Sequence, residues 1–443
     1  MKGFGIEKVI AIPTSLYFFN CQLKGSLHAA EFRFYPFDKP EYIIMFDGPV
    51  VFIDSTFLSS ADFEYAHFKE KVSFYNTSFN GFTKFDNASF NRDAKFGRTS
   101  FENPLSFWNV IFNGPAHFNG ASFNGGAIFF SAIFNGIASF DKANVNKFLA
   151  ISGAKFKNEA KFTNANINGD LNSIQTEFEM KASFINARVN GYSAFSNSIF
   201  KREADFSNVS FVKQLYLETV TFDGLVSFWN ARFVDGAIFM SSTFANSVDL
   251  RLTRYTELLI SWSQVNSGQL DSLWLPEQEK DIVSWQGAYF RLIKNFKNIG
   301  DFKSADDAYY HYKYAKYMFC SSFCEKTGWW FKYLFMGLSC GYGVIPWRTI
   351  VTACILILSF TLAYFIKKDA LEYNGKNQKI AGEINKDRNF WYCFYFSVVT
   401  FTTLGYGDFS PTGKFKYVAM TEGILGWLTM AFFLVALANV WIR

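Results

Sequence analysis

Thr402-Thr403-Leu404-Gly405-Tyr406-Gly407-Asp408 lies between two uncharged apolar runs, residues 349–366 and 423–442. Each run is close to the roughly 20 residues that a helix needs to cross a bilayer. A glycine-containing, non-helical stretch at membrane depth leaves its peptide groups without partners. It is tolerated where its carbonyls line a polar path. Gly405 and Gly407 free the backbone to turn successive carbonyls toward one axis. The stretch therefore predicts a membrane domain of two spans with a re-entrant loop between them.

Thr403, Gly405, Tyr406, Gly407 and Asp408 match the pattern Thr-x-Gly-Tyr-Gly-Asp, and the segment resembles the selectivity filter of two-span potassium channels. The resemblance implies a homotetramer in which rings of carbonyls replace the hydration shell of K+. It assigns ion binding to Thr403, Leu404, Gly405, Tyr406 and Gly407, and the outer mouth to Asp408. K+ is then the permeant ion, and no cofactor is called for. Two departures stand out. Leu404 occupies a place where the family often has Val. Val399 stands where some relatives carry a carboxylic acid, so Asp408 is expected to be held by Tyr395 or a water. Gly341-Tyr342-Gly343 repeats the tripeptide without the threonines and the Asp, and reads as a turn.

On either side of this stretch, the pore domain is predicted over 347–443, with spans at 349–366 and 417–442, a pore helix at 390–402 and the filter at 403–408. Gly423 and Gly426 are candidate hinges of the second span, with helix packing by small residues as the competing role. Phe433, Leu437, Val440 and Trp441 are spaced to form an apolar gate that closes by dewetting. Glu422 is an ionisable residue within a span, hence a functional candidate, with no partner visible in the sequence. No arginine row marks a voltage sensor. The lysines and arginines at 367–388 and 414–416 conflict with the positive-inside rule. The filter's direction in its family and the absence of a secretory signal before the large N-terminal region still place both termini in the cytoplasm. The expected site is the plasma (inner) membrane of a prokaryote.

The N-terminal half carries a different pattern. From Phe57 to Leu250, large apolar residues recur in alternating steps of 5 and 6; of 36 such positions 29 are Phe, and Ser173 is the one polar exception. No insertion shifts the register. Small residues such as Ala116, Ala121 and Ala127 lie two places before many of them. Drifting faces and Asn-Gly pairs exclude a helix. A solenoid of short strands, each pointing one large and one small residue inward, accounts for the pattern. The segment resembles the pentapeptide-repeat family, which implies a right-handed quadrilateral β-helix. The extra residue in every second repeat predicts coils of 22 residues, with a bulge at alternate corners. Residues 1–56 read as an atypical cap over a β-helix at 57–252. Residues 103–140 contain no charged side chain, which suggests a contact between subunits.

Residues 253–325 are predicted to form a helical linker, with helices at 282–297 and 303–318 separated by Gly300. It either seals the solenoid or joins it to the pore. Trp329, Trp330 and neighbouring lysines suit an interfacial helix at 326–346. A chain that stops at Arg443 leaves control of the pore to the N-terminal side, through an unidentified cytosolic ligand. The net charge of +5 is modest for 443 residues, and residues 51–250 hold 18 acidic against 17 basic side chains. Neither feature suits a nucleic-acid partner or a DNA-mimicking surface. Four histidines without a companion triad or metal spacing give no support for an enzyme. The alternative reading is a membrane-anchored scaffold whose working part is the β-helix.

Overall fold

The computed structural model describes residues 8–24, 27–28, 42–265, 282–318, 332–367, 370–374, 389–405 and 407–441. Tyr406, the Trp329-Trp330 segment and most of the loop between the spans lie outside these residues. The chain divides into two compact units, Met1–Ser304 and Ala305–Arg443.

The first unit is a β-solenoid with four faces, A to D, each an eleven-stranded parallel sheet. Successive coils pair 22 residues apart, as in Val72↔Ala94 and Phe79↔Phe101. The predicted cap is corrected here. Strands Lys8–Ile12, Leu16–Phe19, Gln22–Leu23 and Leu27–His28 form a complete first coil. They pair 34 residues ahead, as in Lys8↔Tyr42 and Leu27↔Ala61, because twelve extra residues interrupt the period. At the other end the solenoid continues past residue 252 to Leu258–Leu259.

Phenylalanine stacking follows from the backbone. Coil spacing fixes Phe96, Phe118, Phe140 and Phe162 in one column, with ring centroids 4.8 to 5.0 Å apart and planes within 9°. Across the core the rings meet edge to face, as Phe118 meets Phe129 at 80°, the arrangement that aromatic quadrupoles favour. On the outside, asparagines form hydrogen-bonded ladders. Asn124, Asn146, Asn168 and Asn190 are joined at 2.6 to 3.0 Å.

The corners alternate in length, as the spacing predicts, and also in backbone conformation. The left-handed residue sits in the five-residue step. Every eleventh position from Asp54 to Leu252 has positive φ, for example Tyr65, Asn76 and Asn87. Ala66 N bonds Phe63 O at 3.1 Å, so the corner is a tight turn with φ > 0 at its third residue, and asparagine tolerates that position. The six-residue step has one more residue and rounds its corner without one, except at Gly126 and Gly236. Glycine is needed there for another reason: a Cβ on Gly125 would strike the backbone of Asn103 in the preceding coil.

Because each coil touches only its neighbours, damage to this core is local. Phe118 is fully buried, so Phe118→Ala is expected to cost about 3–5 kcal/mol. Hydrogen exchange should speed up in the coils around residue 118 while coils near residues 57 and 240 keep their protection. Uniform loss along the solenoid would contradict this.

Helices close the C-terminal end of the first unit: α1 (Trp262–Val265), α2 (Ile282–Asn298) and the start of α3 (Phe302–Met318). Gly300, at φ +79, with Asp301 N bonded to Phe296 O at 2.8 Å, ends α2 in a Schellman motif. Buried Asn295 of α2 pairs with both backbone groups of Leu258, at 2.9 and 2.8 Å. Gln264 donates to Phe239 O and Ser242 O. The linker thus seals the last coil, whose backbone would otherwise be an open edge. α3 continues into the second unit.

The second unit holds α4 (Pro346–Ile366) and α6 (Phe415–Trp441), two helices long and apolar enough to cross a membrane. Between them lies the short apolar helix α5 (Phe390–Phe401). Proline at its first position suits the start of α4.

Candidate functional site

The site is built on α5. Its N-terminus is capped by Asn389, whose Oδ1 accepts from Trp391 N. At the other end Thr402 N donates to Val398 O and Thr403 N to Thr400 O. The chain then leaves the helix with Thr403 at φ +57, Gly405 at +55 and Gly407 at +78. Leu404 N reaches back to Val399 O at 3.0 Å. Left-handed backbone thus recurs at every second position, 403, 405 and 407, which neither a regular helix nor a strand contains. Thr403, Leu404, Gly405 and Gly407 are exposed within the single chain, Leu404 by 63%. Nothing lies within 4 Å of a Cβ built on Gly405 or Gly407.

Asp408 and the three residues after it are pinned by a strand pair that has no signature in the sequence. Leu371–Tyr373, in the loop between the spans, pairs antiparallel with Phe409–Pro411. Asn374 N donates to the Asp408 carbonyl at 2.7 Å. Phe409 is ringed by Tyr373, Tyr392 and Tyr395 at 5.1, 5.7 and 6.1 Å. The ring of Tyr395, which with a water was the expected holder of the Asp408 side chain, packs against Phe409.

Glu422 acquires partners. It is fully buried, as are Tyr364 and Ser397. Tyr364 OH, from α4, donates to Glu422 Oε2 at 2.7 Å. Ser397 Oγ, from α5, bonds Oε1 and also lies 3.0 Å from Ile357 O. One carboxyl group thus joins both spans and the helix that carries residues 403–408. Tyr364 also belongs to a buried core cluster with Ala370, Leu371, Cys393 and Phe396.

Gly426 is the close approach of α6 to the end of α5. A Cβ there would strike Phe401 O, whereas one on Gly423 would make ordinary contact with Thr400 O at 3.7 Å. α6 runs unbroken through both. Of the candidate gate, Phe433 and Leu437 are half-buried, while Val440 and Trp441 are exposed.

Gly341–Gly343 is a turn, and a sharp one. All three residues have positive φ, +57, +55 and +86. Asn439 Nδ2, near the end of α6, donates to Gly343 O at 3.2 Å. Arg348 at the start of α4 donates to Tyr310 OH at 3.1 Å and Gly337 O at 3.4 Å, and its guanidinium lies over the Tyr310 ring. A chain of contacts therefore links α3, the turn and the last residues of α6. Burial, with other tyrosines close by, pushes the Tyr342 phenol up to about 12.

Two family models match the sequence. Residues 350–443 match a family described as "Ion channel", and residues 44–122 match "Pentapeptide repeats (9 copies)" in three overlapping segments. No curated protein and no solved structure matches. The C-terminal segment is thus a two-span ion-channel domain in a membrane protein, and the N-terminal domain is a pentapeptide-repeat β-solenoid.

Proposed function

We propose that the chain forms a tetrameric, potassium-selective channel in the plasma membrane, with the solenoid and both termini in the cytoplasm. The observation that carries this reading is the alternation of left-handed residues at 403, 405 and 407 directly after α5. It supports a row of carbonyls that takes the place of potassium's water shell. Thr403, Leu404, Gly405, Tyr406 and Gly407 provide the ion sites, and Asp408 draws cations to the outer mouth. A single chain supplies one such row and leaves it exposed, so several must surround the path.

Conduction is controlled at the far end of α6. Phe433, Leu437, Val440 and Trp441 form the constriction, and the stretch around Gly423 and Gly426 absorbs the bend. The Asn439–Gly343 contact ties that end of α6 to the segment leading from α3. A signal shifts the gate only by binding open and closed states differently, and this contact is where the N-terminal side reaches the gate. Asn439→Ala removes a hydrogen bond worth about 0.5–1.5 kcal/mol in each chain, and four losses act together. Single-channel open probability should therefore move by about tenfold or more. An unchanged open probability would remove the turn from the gating account.

Growth of a bacterium deficient in potassium uptake tests the whole proposal. Expression of the full chain should restore growth at low potassium, and extra sodium should not substitute. Failure to restore growth with the protein present in the membrane would count against it.

A further inference from the structure

Residues 103–140 wind through all four faces of the solenoid, so their lack of charge marks no single surface. Face B is different near its C-terminal end. Its last three strands are Ala204–Asp205, Val226–Ser227 and Val248–Asp249. Their outward side chains enclose a cleft of about 350 Å³, within the size range of small-molecule sites. Leu225 and Trp229 flank Ser227 on the middle coil and are 52% and 37% exposed. Ser227 Oγ accepts from Trp229 N at 3.3 Å and lies 2.8 Å from Ser207 Oγ. Charge in the cleft resolves pair by pair. Asp249 and Arg251 are both buried and joined by a fork of two hydrogen bonds, 2.9 and 2.8 Å long. Glu203 takes Lys181 Nζ at 2.7 Å. Asp205 accepts from Ser207 N at 3.0 Å, and no ion pair reaches it among the described residues. One carboxylate beside one exposed indole is thus left without a cation.

We propose that this cleft binds a small organic cation, an ammonium or guanidinium group on an apolar body. The charge sits between the Asp205 carboxylate and the face of Trp229, and the body lies against Leu225. Face B itself shows what an aromatic in this column takes. Seven coils earlier, Tyr75 carries the guanidinium of Arg98 over its ring, 5.9 Å from the centroid. Beside Trp229 the counterpart of Arg98 is Leu252, which is exposed and uncharged. Tryptophan is the best of the aromatic residues for a cation, and among the described residues none lies over this one. A metal ion is the poorer match, because a single free carboxylate and two hydroxyls are few hard ligands and an indole adds none. A basic peptide running along the face would meet Lys181, Lys161 and Lys142 on the preceding coils, so a compact molecule is the better occupant. The site belongs to the solenoid and stands whichever ion the pore passes.

4-Fluorophenethylamine serves as the probe, titrated into the full chain in nanodiscs of zwitterionic lipid and followed by fluorine NMR, with empty nanodiscs as the blank. Saturable binding is expected, with a dissociation constant below about 1 mM. Asp205→Asn keeps the oxygen that accepts from Ser207 N and removes the charge; it should weaken binding about tenfold, and so should Trp229→Ala. Both side chains point outward, and unchanged hydrogen exchange in the coils around residues 204–250 shows that the variants stay folded. 4-Fluorophenethyl alcohol, neutral and of similar shape, should bind at least about tenfold more weakly than the amine. No saturable binding, or equal binding of the alcohol, overturns the proposal. Binding of the amine that either variant leaves unchanged overturns it as well, because the amine then sits elsewhere, the pore included.

Discussion

Gly405→Ala is expected to abolish potassium flux and to leave the channel assembled. Gly405 sits at φ +55, where a side chain costs roughly 1–2 kcal/mol. Nothing within 4 Å would hold an added methyl in place. The alanine therefore relaxes by rotating its peptide, and the Leu404 or Gly405 carbonyl swings off the ion's path. The strain repeats in every chain, so the ring as a whole loses its geometry. The contacts of α5 with α4 and α6 lie elsewhere and persist. Flux into liposomes and particle mass in detergent check the two halves separately. Normal flux through Gly405→Ala would show that these carbonyls are not the ion sites.

Glu422→Ala has the second large effect, on the fold of the pore domain. Tyr364 OH would lose its acceptor inside a fully buried site, and Ser397 would lose one of two. The loss of two buried hydrogen bonds and the cavity left by the side chain together cost on the order of 3–5 kcal/mol per chain. That is a large part of the stability of a typical domain. Assembled channel should be scarce, and what remains should melt early. Glu422→Gln should be mild. Its amide oxygen accepts from Tyr364, and its NH2 donates to Ser397 Oγ, which in turn donates to Ile357 O. A thermal shift series with size-exclusion chromatography orders the three proteins. Equal melting of Ala, Gln and Glu would show that the network does not stabilise the domain.

The fold was legible where one residue type carries one structural duty. The phenylalanine ladder reports the inward positions of each coil, and no insertion disturbs it from Phe57 to Leu250. The two spans and α5 were legible for the same reason: a long uncharged run has few alternatives. The first coil was hidden because its strands pair 34 residues ahead, out of step with the period of 22 in the later coils. The conformation of the corners was not legible, because spacing gives the length of a step and not the sign of φ within it. Asparagine at 76, 87 and 109 was the available signal. Glu422 looked unpartnered because Ser397 and Tyr364 are 25 and 58 residues away, and no local pattern links them. The strand at 371–373 was lost in a loop that reads as polar.

Every role assigned to residues 403–408 depends on selectivity for potassium. The reversal potential of the full chain in a planar bilayer, with potassium on one side and sodium on the other, is the sharpest test of it. Four converging rows of carbonyls suited to potassium predict a current carried by potassium and a reversal potential displaced far from zero, toward the potassium equilibrium value. A reversal near zero, with both ions passing equally, would contradict it.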